Sequence, residues 1–136
     1  YNSIARNERQ ALAVIKAVKA VAPQARFMGL AGSHLGAIAS AEGLTFIPEA
    51  FADRAYGDNG QLLPRSEKGA VINDPVIAAV QVLNICTKNS IRTVNGHIIP
   101  IEVNSVCIHG DNPEALILLQ EIHRVLSDHD ISIACE

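Results

Sequence analysis

The stretch "TFIPEAFADRAYGDNGQLLPR", residues 45–65, decides how this chain reads. It opens as a buried strand, Thr45-Phe46-Ile47, and then sets Glu49, Asp53, Arg54 and Tyr56 where the apolar segment ends. In parallel α/β sheets and barrels, ligands bind beyond the carboxyl ends of the strands, because the connecting loops converge there. Charges placed directly after a strand therefore mark a candidate binding rim, and the rest of the chain can be tested against that rim.

Helix and strand signals alternate on both sides of this stretch. Residues 8–22 predict a helix with Leu12, Ile15 and Val18 on one stripe, Asn7 as cap, Gln10 as the return half of a capping box, and Pro23 ending it. "ARFMGLA" (25–31) and "LTFIPEA" (44–50) predict buried strands. Between them, "SHLGAIASAEG" (33–43) predicts a helix with Ser33 as cap and Gly43 at the terminating position. Asp74-Pro75 opens a helix to about Asn89, with Val76, Val80 and Leu83 on one face. "IRTVNGHIIPIE" (91–102) reads as a hairpin around Asn95-Gly96. "VNSVCIHGD" (103–111) is a strand ending in polar residues, and Asn112-Pro113 starts a helix with Leu119, Ile122 and Leu126 inward. "ISIA" (131–134) reads as a last strand. The order is that of right-handed crossover units, without repeats, low-complexity segments or a visible domain boundary. The strands fall well short of the eight of a closed barrel. The expectation is one α/β domain over residues 1–136, mainly parallel with one hairpin, either a small open sheet or part of a barrel.

Composition agrees with helices on a buried sheet. The 136 residues are 49% hydrophobic yet only 4% aromatic, so the core must be built from Ala, Val, Ile and Leu. A net charge of -3, with no basic run, leaves no electrostatic footprint for nucleic acid or an anionic membrane. No apolar run approaches the ~20 residues that span a bilayer. Cys86, Cys107 and Cys135 lack Cys-x-x-Cys spacing, which argues against a disulfide framework or structural zinc and for reduced thiols in a cytoplasmic setting. The chain opens at Tyr1 rather than Met, so its natural N-terminus and any targeting segment are expected upstream.

Three strands run out into polar groups on the predicted rim: Gly32-Ser33-His34, then Glu49, Asp53 and Arg54, and finally His109-Gly110-Asp111. A histidine works as acid, base or metal ligand near neutral pH, and a carboxylate two residues on can orient its ring. The plainer reading has Asp111 capping the next helix and His109 as polar filling; Cys107 in the same strand reads as core. Glu49, Asp53 and Arg54 serve equally well as an ion-pair network that fixes a loop. Residues 57–70 form a long aperiodic loop, of the kind that is functional or mobile. Its Arg65-Ser66 suits a carboxylate or phosphate clamp, or else solvated surface. "GLAGSHLG" (29–36) matches neither nucleotide-binding glycine pattern and reads better as a tight strand-to-helix turn. The histidines at 97, 123 and 129 read as surface positions.

Taken together, "EAFADRAYGDNGQLLPRSEKGAVI" (49–72) and "NSVCIHGDNPEA" (104–115) closely resemble the LamB/YcsF family. "GLAGS" (29–33) fits that family in order and spacing, and Tyr1-Asn2 looks like the end of its "KPHGALYN" motif. The resemblance implies the fold of the irregular β/α barrels of the glycoside hydrolase/deacetylase type, of which this chain would be roughly the C-terminal half and so an incomplete domain. It also implies the A subunit of an ATP-dependent 5-oxoprolinase, opening 5-oxo-L-proline to L-glutamate alongside B and C subunits. ATP would act through that complex. The fold kinship leaves room for a divalent metal of unspecified identity.

Carried over by position, the family pattern marks Glu49, Phe51, Asp53, Arg54, Tyr56, Pro64, Arg65, Ser66, Gly69, His109, Gly110 and Asp111. Lys68 stands where proline is usual, and Asn104 where aspartate is usual. The implied catalytic set is His109, Asp111, Asp53 and Glu49, with His109 and Asp111 as the acid–base pair. The implied substrate- or phosphate-binding set is Arg54, Arg65, Ser66, Tyr56 and Ser33. Two other readings remain open at this point: a metal-dependent deacetylase-like hydrolase, and a non-catalytic fragment that only binds partner subunits. A half-barrel leaves strand edges unpaired, so the isolated chain is expected to associate with further copies or to depend on its missing half.

Overall fold

A computed structural model describes residues 1–134. By contact density the chain divides into two compact units, Tyr1–Ala50 with Ile101–Ser105, and Phe51–Pro100 with Val106 onward.

In the first unit, α1 (Asn2–Arg6) precedes α2 (Glu8–Val21). Asn7 caps α2 as its sequence predicts, its side-chain oxygen accepting from the Gln10 amide at 3.0 Å. Strand β1 (Arg26–Leu30) pairs in parallel with β2 (Thr45–Phe51), Leu30 opposite Glu49. Between them α3 covers only Leu35–Ala41, two residues inside the expected start, and the chain turns out of it at Gly43 with φ +77°. The glycines of "GLAGSHLG" have a packing task. A Cβ at Gly29 would lie 2.8 Å from Leu35 Cδ1, and one at Gly36 only 3.1 Å from the Phe46 ring. The Phe46 ring rests on both bare backbones, while Gly32 (φ +72°) makes the turn. Side-chain volume, not a phosphate, explains that glycine spacing.

In the second unit, α4 (Pro75–Lys88) and α5 (Ala115–Asp128) pack together over Ala52, Ala78, Ala79, Val82, Leu118, Ile122 and Leu126. Burying each of the larger aliphatic side chains contributes about 1.5–3 kcal/mol. The buried face of α4 differs from that expected, whereas Ile122 and Leu126 of α5 are inward as the sequence predicts. In α4 the small residues Ala78 and Ala79 face inward, and Val76 and Val80 are exposed; in α5 Leu118 replaces Leu119. Ala78 and Ala79 let the two helices approach closely beside the buried Val82, while Val76 and Val80 are left to the outer face.

The hairpin forms from β3 (Ser90–Arg92) and β4 (Ile98–Pro100), antiparallel. Its turn is a three-residue loop rather than the two-residue type. Thr93 N–H donates to His97 O, Gly96 N–H donates to Thr93 O, and Gly96 takes φ +85°. Strand β5 is shorter than its sequence predicts, Ser105–Cys107, and gives the sheet order β1-β2-β5. The expected strand at 131–134 is absent. Ile131 N–H turns back onto Leu126 O, and Ser132–Ala134 are exposed with no ladder to join. Cys86 is exposed, Cys107 is half-buried rather than core, and Cys135 lies outside the described residues. Among the described residues no helix is long and apolar enough to cross a membrane.

Asp74 Oδ1 accepts from the Val76 and Ile77 amides at 2.8 and 3.1 Å, closing the first turn of α4. Asp74→Ala should therefore cost about 1 kcal/mol in urea unfolding, and Asp74→Asn much less, because Asn caps almost as well.

Candidate active site

Strand β2 leads into two opposite charges buried in succession. Asp53 is 1% and Arg54 2% exposed, a placement that costs several kcal/mol unless each finds partners. Both do. Asp53 receives His109, which follows β5. The imidazole Nδ1 lies 2.9 and 3.0 Å from the two carboxylate oxygens, and the His109 amide donates to Oδ2 at 3.3 Å. Phe51 stacks on the imidazole, ring centroids 5.2 Å apart at 17°. A carboxylate bound to Nδ1 selects the tautomer with its proton there and leaves Nε2 as the free basic nitrogen.

Arg54 points into the loop that follows. Its Nη2 donates to Leu63 O at 2.5 Å and its Nε to Ala70 O at 3.3 Å. Backbone bonds hold the same loop: Ala55 N–H to Ala70 O, Leu63 N–H to Ala55 O, and Ile72 N–H to Asp53 O. The 57–70 segment is thus pinned from inside by a buried cation. Burial, and then the charge of Arg65, push the Arg54 guanidinium below its ordinary range; Asp53 partly offsets them. Tyr56 is fully buried, and its hydroxyl accepts from the Phe51 amide at 2.8 Å, so it braces the strand end from below.

Two supports escape the sequence reading. Gln81 of α4 donates its side-chain amide to the carbonyls of Phe51, Ala52 and Arg54 at 2.8, 3.3 and 3.0 Å, gripping the turn that aims Asp53 at His109. A signal for it exists: Gln81 is the lone amide in the otherwise apolar run "PVIAAVQVL". At the loop tip, Asp58 accepts from Thr93 Oγ1 at 2.5 Å and Asn95 Nδ2 at 2.8 Å, with His97 Nδ1 3.1 Å away. These bonds, Thr93 first, hold the Asp58 carboxyl below its usual range.

Asp53, Arg54, Arg65, His109 and Asp111 line one cavity of about 180 Å³, with Asn73 and Asn112 on its rim. That is below the ~300 Å³ at which sites for drug-sized ligands begin, and it suits a small metabolite. A larger apolar groove of about 650 Å³ runs along α4 and holds neither Asp53 nor His109. The expected pairing of His109 with Asp111 is corrected: Asp53 holds the imidazole, because Gly110 and Asp111 turn away into the start of the α5 region. Asp111 is exposed and lies 3.6 Å from Arg65. Ser66 is exposed and outside the cavity lining. Glu49 belongs to the first unit, buried and accepting from the Tyr1 hydroxyl at 2.8 Å. Ser33 also lies there, its hydroxyl donating to Leu30 O at 2.6 Å to close the turn. Among the described residues no group of three or more His, Cys, Asp or Glu side chains is gathered to hold a metal ion. In the cavity, His109 and Asp53 hold each other, and Asp111 faces Arg65.

The LamB/YcsF family model matches residues 1–135. The chain belongs to the LamB/YcsF family. It is 44% identical over 133 residues to a 5-oxoprolinase A subunit of Pseudomonas syringae pv. tomato, covering 98% of this chain and 52% of that protein. It is 40% identical over 133 residues to the 5-oxoprolinase A subunit of Photorhabdus laumondii subsp. laumondii, covering 98% and 53%. The crystal structure of a lactam utilization protein from Thermus thermophilus superposes with a TM-score of 0.84 at 29% identity, covering 98% of this chain and 53% of that one. This LamB/YcsF chain spans about half the length of the curated relatives it matches.

Gln81→Leu should leave three carbonyls without their donor and destabilise by about 1–3 kcal/mol, with faster amide exchange at residues 51–55. The Asp58 clamp makes a pH-dependent contribution. Its carboxyl pKa is depressed in the folded state, so its stabilisation is present above the unfolded value and lost as pH falls through the folded one. The stability difference between the wild type and Asp58→Asn should accordingly shrink on acidification, measured by thermal unfolding across pH.

Proposed function

We propose that the protein carrying this chain is the A subunit of an ATP-dependent 5-oxoprolinase, opening 5-oxo-L-proline to L-glutamate in the cytoplasm together with B and C subunits. The observation that carries this reading is the Asp53–His109 pair, at 2.9 Å beside a small cavity, in a chain of the LamB/YcsF family. The names of the relatives point to the lactam. We also read the fold as part of an irregular β/α barrel of the glycoside hydrolase/deacetylase type, a reading supported by the parallel β1–β2 pair and the alternation of strands with helices.

A lactam carbonyl is a poor electrophile, and its opening needs an activated water, a polarised or phosphorylated oxygen, and a proton for the departing nitrogen. In this reading His109 Nε2 takes a proton from water as the oxygen adds to the lactam carbonyl carbon. The carbon–nitrogen bond then breaks, and the same proton passes to the ring nitrogen, which leaves as the free amine. Asp53 keeps the ring in the working tautomer and offsets the imidazolium while it exists. ATP, when bound by the complex, supplies activation of the carbonyl oxygen.

His109→Ala in the full-length protein assembled with its partner subunits should abolish ATP-dependent glutamate formation while leaving the fold intact by circular dichroism. Asp53→Asn should lower kcat by orders of magnitude, by misassigning the tautomer. Near-normal turnover by the His109 variant would overturn the role.

A further inference from the structure

The two arginines of the cavity are not equivalent. Arg54 is buried, and its guanidinium is engaged by the Leu63 and Ala70 carbonyls that it holds in place. Arg65 reaches the same cavity from the loop surface, half-exposed, and faces the Asp111 carboxylate at 3.6 Å. That separation exceeds the 2.7–2.9 Å of a charge-assisted hydrogen bond, and Asp111 is 73% exposed at its side chain. Exposed pairs of this kind contribute little to stability, so a better-placed carboxylate can displace Asp111 readily. A planar guanidinium that has shed a loose partner presents the two-pronged donor geometry that a ligand carboxylate matches.

We propose that Arg65 is the specificity-determining residue of the site, binding the carboxylate of a small cyclic-amide acid, and that Asp111 is the counter-ion this carboxylate displaces. The inference rests on the lactam-opening reading above and deepens it. With the acid group on Arg65, the amide carbonyl is left for the His109 end of the same cavity, which fits a ring carrying both functions. The proximity of Arg65 is felt at Arg54, whose guanidinium its charge pushes down, so an incoming anion meets the field of two cations. Arg54 cannot exchange partners in the same way without releasing the loop on which Arg65 stands.

The test uses the full-length protein assembled with its partner subunits, titrated calorimetrically with 5-oxo-L-proline and with 5-oxo-L-prolinamide, the same ring with its acid capped. The wild type should bind the acid about 10- to 100-fold more tightly than the amide, the range expected for a hydrogen-bonded charge. Arg65→Gln should erase that preference, and Arg65→Lys should restore part of it, as a point charge without the planar fork. Asp111→Asn should tighten binding of the acid by removing the competing carboxylate. A wild type without preference for the acid, or an Arg65→Gln variant that keeps it, would overturn the proposal. Turnover in the same preparation separates the two readings: binding that depends on Arg65, without ATP-dependent ring opening, sinks the lactam chemistry and leaves the carboxylate site standing.

Discussion

Burying Asp53 and Arg54 side by side after β2 is the constraint on which the site depends. Neither charge can sit in a low-dielectric interior alone, and leaving either unpartnered costs about 3–5 kcal/mol. Their mutual attraction is not enough, because the two side chains diverge toward different partners. Asp53 draws in His109 from the end of β5, and Arg54 draws in the carbonyls of Leu63 and Ala70 in the 57–70 segment. Charges that stand where an apolar strand stops are thus one pair organising two separate pieces of chain. Among the described residues every buried polar side-chain atom has a hydrogen-bond partner, so the arrangement is fully satisfied.

The consequence of that constraint is rigidity in the right place. A long aperiodic loop would ordinarily be mobile. Here the Arg54 guanidinium, the backbone bonds of Ala55 and Leu63, and the Asp58 contacts with Thr93 and Asn95 fix it on several sides. Gln81 grips the turn from the helix side. The role proposed for His109 needs such support, since misplacement by about 1 Å can cost a hundredfold in rate.

Much of this is legible in the sequence because it depends on local chemistry. Caps at Asn7 and Asp74, the hairpin at Asn95-Gly96 and the polar strand ends all follow from side chains acting on their own neighbourhood. The misses share a different physics. Which carboxylate meets His109 is decided by tertiary packing, and spacing along the chain favours the near residue, Asp111, over the distant Asp53. The inward face of α4 differs from expectation because Ala78 and Ala79 take the packed positions while Val76 and Val80 face out, which hydrophobicity alone ranks the other way; in α5 Ile122 and Leu126 are inward as expected. The short strand signal at 131–134 gives way to a turn, Ile131 N–H donating back to Leu126 O at the end of α5.

Charge balance gives the cavity a further property. Asp53 and Asp111 offset Arg54 and Arg65 in formal charge within the lining. In the proposed reading, a ligand carboxylate pairs where the contact is loose, at Arg65, rather than where it is tight, at Asp53. In that reading, the tight contact keeps the base aimed, and the loose one leaves room for the substrate's own charge. A site with both arginines locked, or both exposed, would have one of these properties and lack the other.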